Sequence, residues 1–93
     1  MAISSITEME LIVGCRNKSE LKLVESFLED FEKIDVNYDI SQLAITLLKR
    51  YRLSYGLLIA DSLIAATAIT LDSLILTKNQ KHYKYIRELK KYS

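Results

Sequence analysis

Two carboxylates and one amide are the residues of this chain best placed for chemistry: Glu10, Asp61 and Asn79. Asp61 stands inside the longest apolar run, where from Leu57 to Leu71 only Asp61, Ser62, Thr67 and Thr70 are polar. An isolated buried carboxylate is very costly, so a charge placed there must cap a helix, be paired or bind something. Two or more carboxylates on one rim can hold Mg²⁺ or Mn²⁺, hard ions that take oxygen ligands and keep several waters. An ion so held activates water and steadies the charge on a phosphodiester during hydrolysis. Each acid also has a structural reading. Glu10 is the reciprocal partner of Thr7 in a T-x-x-E capping box. Asp61 suits a helix start, where its charge meets the positive end of the dipole.

The other reactive groups offer less. His82 is the only histidine, and no second histidine or nearby cysteine completes a zinc site. Cys15 is the single cysteine, so no intrachain disulfide forms, and a reducing cytoplasm is expected. Ser5, Ser62 and Cys15 lack the context of a nucleophile, and there is no phosphate-binding glycine loop. Lys78, Lys81 and Lys84 belong to a basic tail: residues 78–93 carry six lysines and arginines against Glu88 alone, a net charge of +5. Such a tail either contacts RNA phosphates or is a solvated face.

These groups need elements to position them. The 93 residues suit one small domain over residues 1–93, and 49% hydrophobic residues make a core feasible. Thirteen basic and twelve acidic residues leave a net charge of +1, which argues against disorder and against an overall polycation. No proline and only two glycines disfavour a turn-rich all-β fold. The N-terminal stretch lacks a signal peptide's basic region. The run from Leu57 to Leu71 is too short and interrupted to span a bilayer.

Read in order, a strand is expected from Ala2 to Ile6, then a helix from Thr7 stopped by Gly14. A second helix is expected from Lys18 to Glu32, its stripe of Leu21, Val24, Leu28 and Phe31 widened by Leu23 and Phe27. Ile34, Val36 and Tyr38 alternate with polar residues as a strand. Asp39 or Ser41 can cap a third helix, with Ile40, Leu43, Ala44, Leu47, Leu48 and Tyr51 as its stripe. After Gly56 a fourth helix is expected from Asp61 to Leu71, its small alanines allowing close packing. Ser73 to Thr77 reads as a strand. Tyr83, Ile86 and Leu89 suggest a basic amphipathic helix, with a strand from Leu89 to Tyr92 as the alternative. Alternating strands and helices predict an α/β fold with a parallel sheet. Glu10, Asp61 and Asn79 all follow a strand or open a helix, and so can meet at its carboxyl rim.

The segments ISSITEMELIVG and YGLLIADSLIAATAITLDSLILTKNQKHYKYI resemble PIN-domain proteins, most specifically in D-S-L-I-A-A-T-A followed by an apolar strand and T-K-N. The resemblance covers almost all of the chain, and its nearest type is the VapC-like toxin ribonuclease of prokaryotic toxin–antitoxin systems. It implies a three-layer α/β/α fold around a short parallel sheet, and an acidic cluster that binds Mg²⁺ or Mn²⁺ and cleaves RNA. By that match Glu10 and Asp61 are the metal-holding acids. The match also implies that Thr77 and Asn79 orient ligands or water; if the domain is a ribonuclease, the basic tail with Lys78, Lys81 and Lys84 is expected to hold RNA.

The pattern departs from the family in two places. The family ordinarily begins with a central strand and helix carrying its first aspartate, whereas Met1 here stands directly before the match to the second strand. His82 stands where many members place a later aspartate. A domain shortened in this way must pair its second and fourth strands directly, or complete the sheet from another chain. A homo-oligomer is therefore expected, because an open strand edge is a template for association. The alternative to a ribonuclease is an inactive module that forms oligomers or binds an antitoxin.

Overall fold

The computed structural model describes residues 2–72, 75–76 and 85–89. Its elements run β1 (Ala2–Ser4), α1 (Ser5–Val13), α2 (Lys18–Leu28), β2 (Glu32–Ile34), α3 (Tyr38–Tyr55), α4 (Ile59–Leu71) and β3 (Ile75–Leu76). The sheet is parallel, in the order β2-β1-β3. Ala2 sits opposite Glu32 on one side and Ile75 on the other. The fold is thus α/β, as the alternation of elements predicts. The two strands expected to pair directly, β1 and β3, do so.

Local hydrogen bonding moves several boundaries from their expected places. Ser4, not Thr7, caps α1, because the Ser4 Oγ accepts the Ile6 N–H at 3.1 Å. The Thr7–Glu10 capping box therefore does not form, and β1 ends at Ser4 instead of Ile6. Asn17 caps α2 by accepting the Glu20 N–H at 2.9 Å, and the Glu20 carboxylate accepts the Arg16 N–H at 2.8 Å. That helix ends at Leu28, short of Glu32, because Glu32 already pairs with Ala2 in the sheet. The second strand accordingly covers Glu32–Ile34 and not Ile34 to Tyr38. Asn37, not Asp39 or Ser41, caps α3, accepting the Ile40 N–H at 2.9 Å.

Core packing follows the apolar periodicity of α3. Ile40, Ala44, Leu47 and Tyr51 are buried, four of the six residues in the expected stripe. They pack against α4, whose Ala65, Ala66 and Ala68 are buried and bring the two helices close. A fully buried leucine such as Leu47 contributes about 1.5–3 kcal/mol by leaving water. The α2 stripe is narrower than expected: Leu23 and Phe27 are 71% and 57% exposed. Gly56 ends α3 at φ 74, a left-handed conformation that only glycine adopts without strain. Residues 85–89 form turns and not a helix. The expected strand's other residues and the alternative strand from Leu89 to Tyr92 lie outside the described residues, Leu89 excepted. No helix among the described residues is long and apolar enough to cross a membrane.

The cap assignments are testable by chemical denaturation. Asn37→Ala is expected to cost about 1 kcal/mol, and Asp39→Ala under about 0.5 kcal/mol.

Candidate functional site

Parallel strands share their carboxyl ends, and both candidate acids belong to helices that start there. The first helix, α1, leaves the carboxyl end of β1 directly. The fourth, α4, feeds β3 from its amino end, so its own start lies back toward the shared carboxyl rim. The two helices pack against each other. Glu10 and Asp61 therefore lie on neighbouring, packed helices.

Asp61 is 9% exposed. It occupies the third position of α4 and not its cap, because the helix begins at Ile59 and Leu58 stands at the cap without a side-chain bond. The first-turn position still sets its charge against exposed backbone N–H groups, an effect worth up to about 2 kcal/mol in partly buried sites. The neighbouring buried hydroxyls are satisfied within the helix. Ser62 Oγ donates to the Ile59 carbonyl at 2.6 Å, and Thr67 Oγ1 donates to the Leu63 carbonyl at 2.7 Å. Ser62 is thus tied down, in keeping with its lack of nucleophile context.

Glu10 is half-buried on α1 and has no ion pair among the described residues. Its neighbour Glu8 differs. Glu8 pairs with Lys33 at 2.8 Å, and its carboxylate pushes the Lys33 ammonium up. Glu8 therefore ties α1 to β2, while Glu10 keeps its acceptor capacity. One turn before Glu10 on the same side of the helix is Thr7, fully buried, its Oγ1 without a hydrogen-bond partner. Leaving such a group unsatisfied costs about 1–3 kcal/mol. The sequence hid this feature, because the apparent capping box gave the Thr7 hydroxyl a task that Ser4 performs.

A second set of contacts comes from the C-terminal segment. Tyr51 Oη donates to Glu88 Oε1 at 2.6 Å and accepts the Arg87 N–H at 3.2 Å. The Arg50 guanidinium pairs with the same Glu88 carboxylate. Ile86 is buried in the core beneath them. These contacts clamp residues 85–89 to α3. The Tyr85 ring then packs 5.5 Å from Tyr51 and stacks on Tyr55 at 4.3 Å, with only 2° between the planes. Burial, and then the Asp61 charge, raise the Tyr85 phenol above its ordinary value. Tyr85 is a member of the site's surroundings that periodicity in a lysine-rich tail could not single out.

Among the described residues, no three His, Cys, Asp or Glu side chains group to hold a metal ion. Asn79, the other candidate, lies outside the described residues. So do Thr77, His82 and the three lysines Lys78, Lys81 and Lys84.

The fold is that of a parallel-sheet α/β protein. The PIN-domain family model matches residues 1–88, and the chain belongs to that family. It is 38% identical over 90 residues to ribonuclease VapC19 of Mycobacterium tuberculosis, covering 96% of this chain and 71% of that protein. It is 36% identical over 91 residues to ribonuclease VapC1 of Methanocaldococcus jannaschii, covering 94% of this chain and 65% of that one. A chain of a toxin–antitoxin complex from Klebsiella pneumoniae superimposes with a TM-score of 0.72 at 30% identity, covering 97% of this chain and 72% of that chain.

The Tyr85 environment gives a pH dependence. A phenol whose folded pKa is raised contributes stability that is fully present below the unfolded value, near about 10. That stability is lost as pH rises through the higher folded value. In EDTA, wild type is expected to lose more denaturation stability between pH 9 and pH 11 (roughly spanning the tyrosine range) than Tyr85→Phe loses. Asp61→Asn is expected to lower the Tyr85 pKa in an NMR titration.

Proposed function

We propose that this chain is a VapC-type endoribonuclease whose divalent ion is held by Glu10 and Asp61. The observation that carries the reading is the pairing of family membership with two carboxylates on packed helices, one buried and one without a cation. The donor set fits Mg²⁺ or Mn²⁺. Mg²⁺ is commonly held by one or two carboxylates, with waters and substrate phosphate completing the shell. Every donor on offer is oxygen, and the Thr7 hydroxyl beside Glu10 is one more whose capacity the described residues leave unused. When bound, such an ion activates water and stabilises charge on a phosphodiester.

The chain's own groups have separate tasks in this reading. Asp61 anchors the ion from a buried first turn, where low solvent access strengthens its field. Glu10 supplies the second carboxylate from α1. The Tyr85 phenol stays protonated near neutral pH and adds no second charge next to Asp61. Asn79 orients ligands after β3, and Lys78, Lys81 and Lys84 hold RNA phosphates. An antitoxin is the protein partner, taken up by exposed apolar residues such as Val13, Leu23 and Leu53, and the protein self-associates.

An inactive, antitoxin-binding or oligomer-forming module is the second reading, favoured by the absence of a three-acid group among the described residues. Cleavage of RNA in Mn²⁺ separates the two. On the ribonuclease reading, EDTA abolishes cleavage, and Asp61→Asn reduces it at least about 100-fold while leaving the fold intact. A folded Asp61→Asn protein that cleaves at the wild-type rate removes Asp61 from the mechanism.

A further inference from the structure

The corner between α3 and α4 presents an aromatic ring and a cation that the proposed hydrolytic machinery does not use. Tyr55, the last residue of α3, is 60% exposed. One face of its ring lies against Tyr85, so the exposure falls on the other face and the ring edge. The pair is braced. Tyr51 packs against both rings, at 6.2 Å from Tyr55 and 5.5 Å from Tyr85, and is itself fixed by Glu88 and the Arg87 N–H.

Arg52 lies three residues before Tyr55, on a neighbouring position of the same helix. Its Nη1 donates to the Gly56 carbonyl at 3.0 Å and the Leu57 carbonyl at 3.2 Å. The guanidinium is thereby held over the turn that leads from Tyr55 to Asp61. Among the described residues Arg52 pairs with no carboxylate, whereas Arg16 and Arg50 each do. Arg52 is exposed.

An exposed ring stacked on a second ring, with an anchored cation three residues before it on the same helix, suits the base and the phosphate of a single nucleotide. Every base has a face that stacks on an aromatic ring, and a guanidinium suits the phosphate. We propose that Tyr55 and Arg52 form a seat for one unpaired nucleotide of single-stranded RNA, base on Tyr55 and phosphate on Arg52, beside Asp61. This rests on the ribonuclease reading and adds to it a particular seat for one base and its phosphate. Stacking requires a base that has left its duplex, so paired RNA is excluded.

The test is direct binding of a fluorescein-labelled single-stranded octaribonucleotide (length set by roughly 4–16 nucleotides per single-strand site), read by anisotropy in EDTA so that no cleavage intervenes. Tyr55→Ala and Tyr55→Leu are expected to weaken binding roughly 5- to 150-fold, since neither keeps a π-face. Leucine retains an apolar contact with Tyr85 and guards against loss of fold. Tyr55→Phe stays within about twofold. Arg52→Gln lowers the slope of log affinity against log salt by about 0.7, the share of one single-strand phosphate contact. Wild-type affinity in folded Tyr55→Ala, or no binding of the single strand by wild type, overturns the seat. Equal binding of the matching duplex overturns it too. If Tyr55 variants lose RNA while Mn²⁺ never produces cleavage by wild type, the seat stands and the ribonuclease reading falls. If cleavage survives Tyr55→Ala with an unchanged KM, the ribonuclease reading stands and the seat falls.

Discussion

Everything in this fold hangs on three residues. Ala2–Ser4 form the middle strand of the sheet and pair in parallel with β2 on one side and β3 on the other. Ile3 and Ser4 are fully buried there. Parallel pairing obliges the chain to cross back between strands, and the crossings are α1 with α2, and α3 with α4. That single constraint sends the starts of α1 and α4 to the same rim. The two carboxylates sit on neighbouring helices because β1 is central.

A second constraint acts from the far end of the chain. Glu88 receives both the Tyr51 hydroxyl and the Arg50 guanidinium, and Ile86 fills the core alongside. Removing Glu88 would leave Tyr51 without an acceptor and release the segment that carries Tyr85. The aromatic group at the α3–α4 corner thus depends on a carboxylate 37 residues away in sequence from its partner Tyr51. Structure and site are coupled here: the same clamp that closes the core also holds Tyr85, whose phenol the Asp61 charge pushes up after burial does.

Much of the architecture was legible in the sequence, and the misses have physical causes. The α3 stripe and the alanines of α4 were readable because burial on one helical face leaves a 3.6-residue pattern. Cap positions were not, since Ser4, Thr7, Asn37 and Asp39 all have side chains able to cap, and only the path of the chain decides between them. Leu23 and Phe27 fit a helical stripe yet stay largely exposed, because periodicity tells where a face lies and not how wide its partner is. Glu10 and Asp61 stand out in the sequence through their neighbours: one follows a β-branched strand, the other interrupts an apolar run. The stacking of Tyr85 on Tyr55 had no signal in the sequence, because it joins residues thirty positions apart.

The central claim is that Glu10 and Asp61 together hold a divalent ion. Isothermal titration of Mn²⁺ into wild type, Glu10→Gln and Asp61→Asn tests it without reference to any RNA. Saturable binding by wild type that either substitution abolishes is the predicted result. A folded wild-type protein that takes up no Mn²⁺ at about millimolar concentration, near −4 kcal/mol of binding free energy, contradicts it, as does binding that both substitutions leave unchanged.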